Sequence, residues 1–116
     1  MITGKIYKAD KIMLPAVLRT QTWLERARGL LGRGEHVAAR GLIIAPCNAI
    51  HTFFMGYRLD LVYLDANFTI IKICHNLKTW RFSSAWGAKM VLELKAGQAE
   101  SFHLKTGELL KWQGPF

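Results

Sequence analysis

Arg58 to Cys74 reads RLDLVYLDANFTIIKIC, and its alternation sets the fold class. Leu59, Leu61 and Tyr63 fall on one face at a period of two, and Asp60, Val62 and Leu64 fall on the other. Asp65-Ala66-Asn67 supplies turn residues, and Thr69–Cys74 resumes as a β-branched, apolar run. Two such runs around a short turn predict a β-hairpin. On the C-terminal side, Asn76–Lys89 reads as a long loop rich in Trp, Arg, Ser and Gly. Met90–Leu94 reads as a strand, Ala96-Gly97 as a turn, Gln98–Leu104 as one helical turn and Glu108–Trp112 as a last strand. On the N-terminal side, short strands are expected at Ile2–Tyr7, at 13–19, at Gly41–Ile44 and at Ile50–Met55. Pro15, which has no N–H to give a ladder, predicts that the 13–19 strand lies at a sheet edge.

One helix interrupts this pattern. Thr22-Trp23-Leu24-Glu25 has the form of a capping box, in which the threonine oxygen takes an orphan N–H and the glutamate reaches back. Leu24, Ala27, Leu30 and Leu31 follow at helical spacing, which predicts a buried face over Trp23–Leu31 and a stop at Gly32 or Gly34. The expected architecture is mainly β with α+β content. It is a compact β-sandwich or partly open barrel of short, mostly antiparallel strands, with the helix packed on one side or end.

The chain has 116 residues, enough for a single domain spanning 1–116, with 1–15 as an extension or edge strand. Hydrophobic residues make up 51% and charged residues 21%, which excludes a disordered chain. No apolar run is long enough to span a bilayer. The run Ile12–Leu18 after Lys5, Lys8 and Lys11 is split by Pro15 and lacks a small-residue cleavage site. It therefore does not read as a signal peptide, and the expected location is cytoplasmic. The two cysteines, Cys47 and Cys74, are expected as reduced thiols rather than a disulfide scaffold. The net charge is +8, from 16 basic and 8 acidic residues, and no dense basic run concentrates it. The charge is read first as a solubility device, with nucleic acid as a less favoured partner.

The chemistry-bearing residues cluster in CNAIHTFFM, Cys47 to Met55. Cys47, His51, Cys74 and His75 are the residue types of a zinc site, but their spacing is poor. An extended Cys47–His51 span is roughly 13 Å, and adjacent residues such as Cys74 and His75 point to opposite faces of a strand. No metal and no cofactor is expected. Cys47 as nucleophile, His51 as base and Asp60 as orienter would make a hydrolase-like triad, with His51 and Asp60 meeting across a hairpin. A thiolate needs an activating helix N-terminus or cation, and no helix starts at Cys47, so an enzyme is not the favoured reading. By alternation His51, Phe53 and Met55 share one face. The favoured expectation is a small accessory or binding domain. Arg33, His51, Phe53, Met55, Asp60 and Glu93 would form its concave ligand or peptide patch. Lys78, Trp80, Arg81 and Trp86 would stand at the rim, a cation–ring mixture that also suits anions or single-stranded nucleic acid.

Five separated blocks carry a resemblance. They are Gly29-Leu30-Leu31-Gly32-Arg33, Cys47–Met55, Leu59-Asp60-Leu61-Val62-Tyr63-Leu64-Asp65, Val91-Leu92-Glu93-Leu94-Lys95-Ala96-Gly97 and Gly107-Glu108-Leu109-Leu110. In order and spacing the chain resembles the uncharacterised domain-of-unknown-function family 192 over residues 16–112. The resemblance implies a compact, mainly β fold with one helix near the N-terminus. It carries no established activity. It implies a protein partner in envelope or secretion machinery, through relatives that carry export signals or accompany pilus components. The sequence departs from the family pattern at Gly56 and Arg58, where a cation after the methionine and a proline before Leu-Asp are common, and at Glu108, where an aspartate is common.

Overall fold

The Arg58–Cys74 stretch folds as a hairpin in the computed structural model, which describes residues 1–115. Strand β5 (Leu59–Leu64) pairs antiparallel with β6 (Ile70–Leu77). The Asp65 carboxylate fixes the turn, with Oδ1 accepting the N–H groups of Asn67 at 2.8 Å and Thr69 at 3.0 Å. On its other edge β5 pairs antiparallel with β8 (Met90–Lys95). Strand β3 (Leu42–Ile44) follows, then β2 (Lys11–Arg19), β1 (Ile2–Lys8) and β9 (Leu110–Gln113), giving a seven-stranded sheet in the order β6-β5-β8-β3-β2-β1-β9. Among the described residues, only β2 and β3 pair in parallel. A separate two-stranded ribbon joins β4 (Ala49–His51) to β7 (Phe82–Ser84).

The large sheet curls until its ends meet. Ile70 donates to the Glu108 carbonyl at 2.8 Å, Gly107 to Ile70 at 2.7 Å and Leu110 to Phe68 at 3.0 Å. The result is a mainly β, partly open barrel, as the sequence predicts. Side chains pack on both sides of its wall, which is why every residue of β5 is buried. Val62, Leu64, Leu92 and Leu94 face the barrel interior with Ile6, Leu14, Val17 and Trp112. Leu59, Leu61, Tyr63 and Val91 face outward into a second core with Leu30, Ala38, Leu42, Ile44 and Ile50.

Several expectations need correction. Strand β2 lies between β1 and β3 rather than at an edge. Pro15 is accommodated because the β1–β2 register shifts beside it, with partners running from Val17↔Gly4 to Leu14↔Ile6, and because β3 reaches only Leu18 and Arg19. The helix α1 (Trp23–Arg28) starts at the expected capping box, with Glu25 N–H donating to Thr22 Oγ1 and Thr22 N–H to Glu25 Oε1, both at 3.1 Å. It ends earlier, at Gly29. None of its residues is buried, and of the expected apolar face Leu24 and Ala27 are exposed, while Leu30, beyond the helix end, packs into the outer core and Leu31 is half-buried. A second short helix, α2 (Glu35–Arg40), is unforeseen, and Ala38 seats it against the outer core. The last helix, α3 (Gln98–Ser101), is the expected single turn. The segment after His51 is not an extended strand, because Phe54 turns at φ 65°.

Candidate functional site

Four of the five family-like blocks converge outside the barrel wall. Gly29 ends α1 at φ 52°, in a backbone conformation that favours glycine. The chain there passes against β8 so closely that a Cβ on Gly29 would lie 3.3 Å from Glu93 Oε1. Ribbon strand β4 and the turn after it close the opposite side. Between them lies a cavity of about 320 Å³. Leu30, Leu31, Ile50 and Leu59 contribute apolar wall, and Arg26, Arg28, Cys47, His51, Phe53, Met55 and Glu93 also line it.

Glu93 is the anomaly in this cavity. It is 3% exposed, and its Oε1 has no hydrogen-bond partner among the described residues. Burial pushes its pKa up from the ordinary 4.5 to about 8, partly offset by the Leu30 backbone amide. At neutral pH the group is therefore mainly a carboxylic acid, able to donate through O–H and to accept through the remaining oxygen. Such an orphaned buried polar atom calls for a partner.

Cys47 lies in the same cavity with its Sγ donating to the Ala49 carbonyl at 3.1 Å. Burial raises the thiol's pKa, and Glu93 raises it further once that carboxyl ionises above neutral pH. Both effects keep it a thiol rather than a nucleophilic thiolate. Cys74 is also free, and it sits elsewhere, 3.2 Å from Ser83 Oγ, which accepts the Tyr63 hydroxyl at 2.9 Å. Burial pushes the Tyr63 hydroxyl up to about 12, so Tyr63 makes its contact to Ser83 as a neutral phenol. Among the described residues, no group of three or more His, Cys, Asp or Glu is placed to hold an ion.

The structure therefore gathers His51, Phe53, Met55 and Glu93 of the expected patch, and it excludes two members. Asp60 is fully buried on the interior face of the wall. Its Oδ1 accepts from Asn76 N–H at 2.7 Å, and its Oδ2 accepts from Gly97 at 3.0 Å and Ala99 at 2.9 Å, so it caps α3. It cannot orient His51, which stands on β4, and β4 pairs with β7 rather than with β5. Arg33 turns back on the helix end, with Nε donating to the Gly29 carbonyl at 3.2 Å. Arg26 and Arg28 stand at the cavity instead. Their position at the last turn of α1 was the available signal for them.

The residues Lys78, Trp80 and Arg81 line a neighbouring hollow of about 460 Å³ with Arg58 and Tyr57. Trp86 lines neither hollow and is 99% exposed. The residue that joins the two regions is Thr52, an ordinary strand position in the expected Ile50–Met55 strand. It is fully buried. Its Oγ1 donates to the Lys78 carbonyl at 2.7 Å and accepts Arg81 N–H at 2.9 Å, while its carbonyl accepts Trp80 N–H at 2.9 Å and Met55 N–H at 3.2 Å. Thr52 thereby staples the 52–55 turn to the 78–81 turn.

The sequence profile of the DUF192 family, described as "Uncharacterized ACR", matches residues 8–112. The UPF0127 protein PH1112 of Pyrococcus horikoshii is 30% identical over 97 residues, covering 78% of this chain and 82% of the relative. A UPF0127 protein of Thermococcus sibiricus is 26% identical over 109 residues, covering 89% and 70%. Two crystal structures share the fold. A protein of unknown function from Novosphingobium aromaticivorans has a TM-score of 0.76 at 21% identity, covering 96% of this chain and 85% of its own. A candidate transcription regulator from Sinorhizobium meliloti has a TM-score of 0.80 at 18% identity, covering 96% and 92%. At these identities the two structures speak to fold alone.

Proposed function

We propose that this chain, which belongs to the DUF192 family, is a non-enzymatic binding domain whose ligand seats in the cavity above Glu93. The unpartnered Oε1 of Glu93 carries the reading. A buried carboxyl without a partner is costly, and a ligand that hydrogen-bonds to it recovers that cost. The walls select the rest of the ligand. Leu30, Leu31, Ile50 and Leu59 favour an apolar body, and Arg26 and Arg28 favour an anionic group at the mouth. A small amphipathic carboxylate, or the C-terminal end of a peptide with an apolar last residue, meets both demands. A peptide ligand also accommodates a partner from envelope or secretion machinery. The free thiols suit a reducing compartment such as the cytoplasm. The rival hydrolase reading would use Cys47 and His51, which line the same cavity. The raised thiol pKa and the commitment of Asp60 to α3 weigh against it.

Titration of amide-resolved NMR spectra with phenylacetate, and with a short peptide ending in a free leucine, tests the proposal. Saturable shifts at Arg26, Leu30, His51, Met55 and Glu93 are expected. They should vanish in Ala27→Trp, which fills the mouth from an exposed position. Shifts absent at those residues, or unchanged in the filled variant, would overturn it.

A further inference from the structure

Beyond the cavity, we propose that the outer face of the β4–β7 ribbon and its two stapled turns bind single-stranded nucleic acid. The first observation is a column of rings. His51 stacks on Phe53 at 5.0 Å and 25°, Phe53 stacks on Trp80 at 5.8 Å and 27°, and Phe54 tilts against Trp80 at 4.6 Å. Phe82, the register partner of His51, adds a further exposed ring. Phe54 is 73% exposed, Phe82 67% and Trp80 53%, a contiguous display that a surface without a partner rarely keeps.

The second observation is how the rings are held. Phe54 and Trp80 sit at φ 65° and 59°, a left-handed conformation that bulky side chains rarely adopt. The Thr52 staple imposes both turns and turns the rings to solvent, against the hydrophobic preference. Strain of this kind persists where the surrounding structure over-determines it, and it concentrates at binding sites.

The third observation is charge. Arg58, Lys78 and Arg81 line the hollow beside the rings, and no carboxylate shares that lining. Among the described residues none of the three forms an ion pair with an acidic side chain. Unpaired cations beside exposed rings complement a polyanion that carries flat faces. Single-stranded nucleic acid has both, since its bases stack on aromatic side chains while phosphates meet the cations. Duplexes hide those base faces. A membrane surface would favour rings splayed toward one plane rather than stacked on one another.

Fluorescence anisotropy with a fluorescein-labelled thymidine oligonucleotide is the test, run at low salt and repeated as sodium chloride is raised. Binding is expected at low salt, with log K falling against log salt at a slope of about −2, the value for roughly three phosphate contacts on a single strand. Trp80→Ala should weaken binding about tenfold or more, and Trp80→Phe should restore most of it. The triple variant Arg58→Ala, Lys78→Ala, Arg81→Ala lies on the exposed surface and should flatten the salt slope. Circular dichroism on each variant confirms that the fold is retained. No binding at low salt would overturn the proposal, as would equal affinity for a duplex of the same length or an unchanged slope in the triple variant. Binding to phosphatidylglycerol vesicles without binding to the oligonucleotide would also overturn it, in favour of a lipid surface.

Discussion

Asp60 and Glu93 stand one register step apart on adjacent antiparallel strands and face opposite sides of the barrel wall. Asp60 pairs with Leu94, and Leu61 pairs with Glu93. Because side chains alternate along a strand, that single step sends Asp60 into the interior and Glu93 toward the outer cavity. Both carboxyls are almost fully shielded from water. Three backbone N–H groups saturate the first, whereas one oxygen of the second has no partner among the described residues. Two acidic residues in nearly identical apolar strands thus have opposite roles. One holds the fold together, and the other keeps a buried oxygen that nothing among the described residues engages.

For Asp60, removal should damage stability rather than binding. Asp60→Ala leaves the amides of Asn76, Gly97 and Ala99 without their acceptor. Charge-assisted bonds and buried orphan donors predict a loss of about 3–5 kcal/mol. Asp60→Asn keeps one acceptor oxygen and should lose less. Urea denaturation measures both. A loss below about 1 kcal/mol in Asp60→Ala would contradict the capping role.

For Glu93, the expected signature is pH dependence. Its folded pKa of about 8 lies above the ordinary 4.5, so between those values the folded chain keeps a proton that the unfolded chain has released. The unfolded state then binds fewer protons, and stability falls as pH rises through that window. The full fall attributable to Glu93 is on the order of 5 kcal/mol, complete above pH 8. Glu93→Gln should flatten this part of the profile, leaving the variant relatively more stable at pH 8 than the parent. Denaturation at pH 5 and at pH 8 for both proteins decides it. Parallel profiles would show that the carboxyl reaches solvent or a partner.

Much of the fold is legible because its signals are local. The alternation of Arg58–Leu64, the Asp65 turn and the Thr22–Glu25 box each lie within a few residues of what they form. What is hidden depends on distant partners. Strand β7 has three residues, and only β4, some thirty residues earlier, makes it a strand. Helix α2 has six residues, too few for a 3.6-residue period to declare itself. The α1 pattern announces an apolar face, but nothing in it says whether the fold covers that face, and here Leu24 stays in water. At the site, CNAIHTFFM draws attention to Cys47 and His51, whereas the organising residue is Thr52, whose partners lie 26 to 29 positions away. Asp60 in an apolar strand suggests chemistry and proves to be a helix cap. Glu93 was legible as a polar residue in a buried run, but its missing partner was not.

Thr52 offers a direct test of the staple. Thr52→Val keeps the shape of the side chain and removes the hydroxyl, leaving the Lys78 carbonyl and the Arg81 amide without it. A loss of about 1–3 kcal/mol is expected. Trp80 should also become more mobile, because its turn is then held to Thr52 by backbone bonds alone. Time-resolved anisotropy in a chain where Trp80 is the sole tryptophan reads that motion. Unchanged Trp80 anisotropy together with unchanged stability would mean that the two turns hold themselves.

Cys47 separates the binding reading from the hydrolase reading. Burial and the nearby Glu93 raise its pKa above the ordinary 9, and its Sγ donates to Ala49. Iodoacetamide should therefore modify Cys47 slowly at pH 7, and the rate should climb only as pH passes above 9, since the thiolate is the reacting form. The variant Cys74→Ser isolates the Cys47 signal, which mass spectrometry follows. Phenylacetate in the cavity should slow the reaction further by covering the sulfur. Fast alkylation at neutral pH, with an inflection well below 9 that shifts in His51→Ala, would show an activated thiol–imidazole pair. It would return the cavity to nucleophilic catalysis. Slow alkylation that His51→Ala leaves unchanged fits a thiol that shapes the pocket wall.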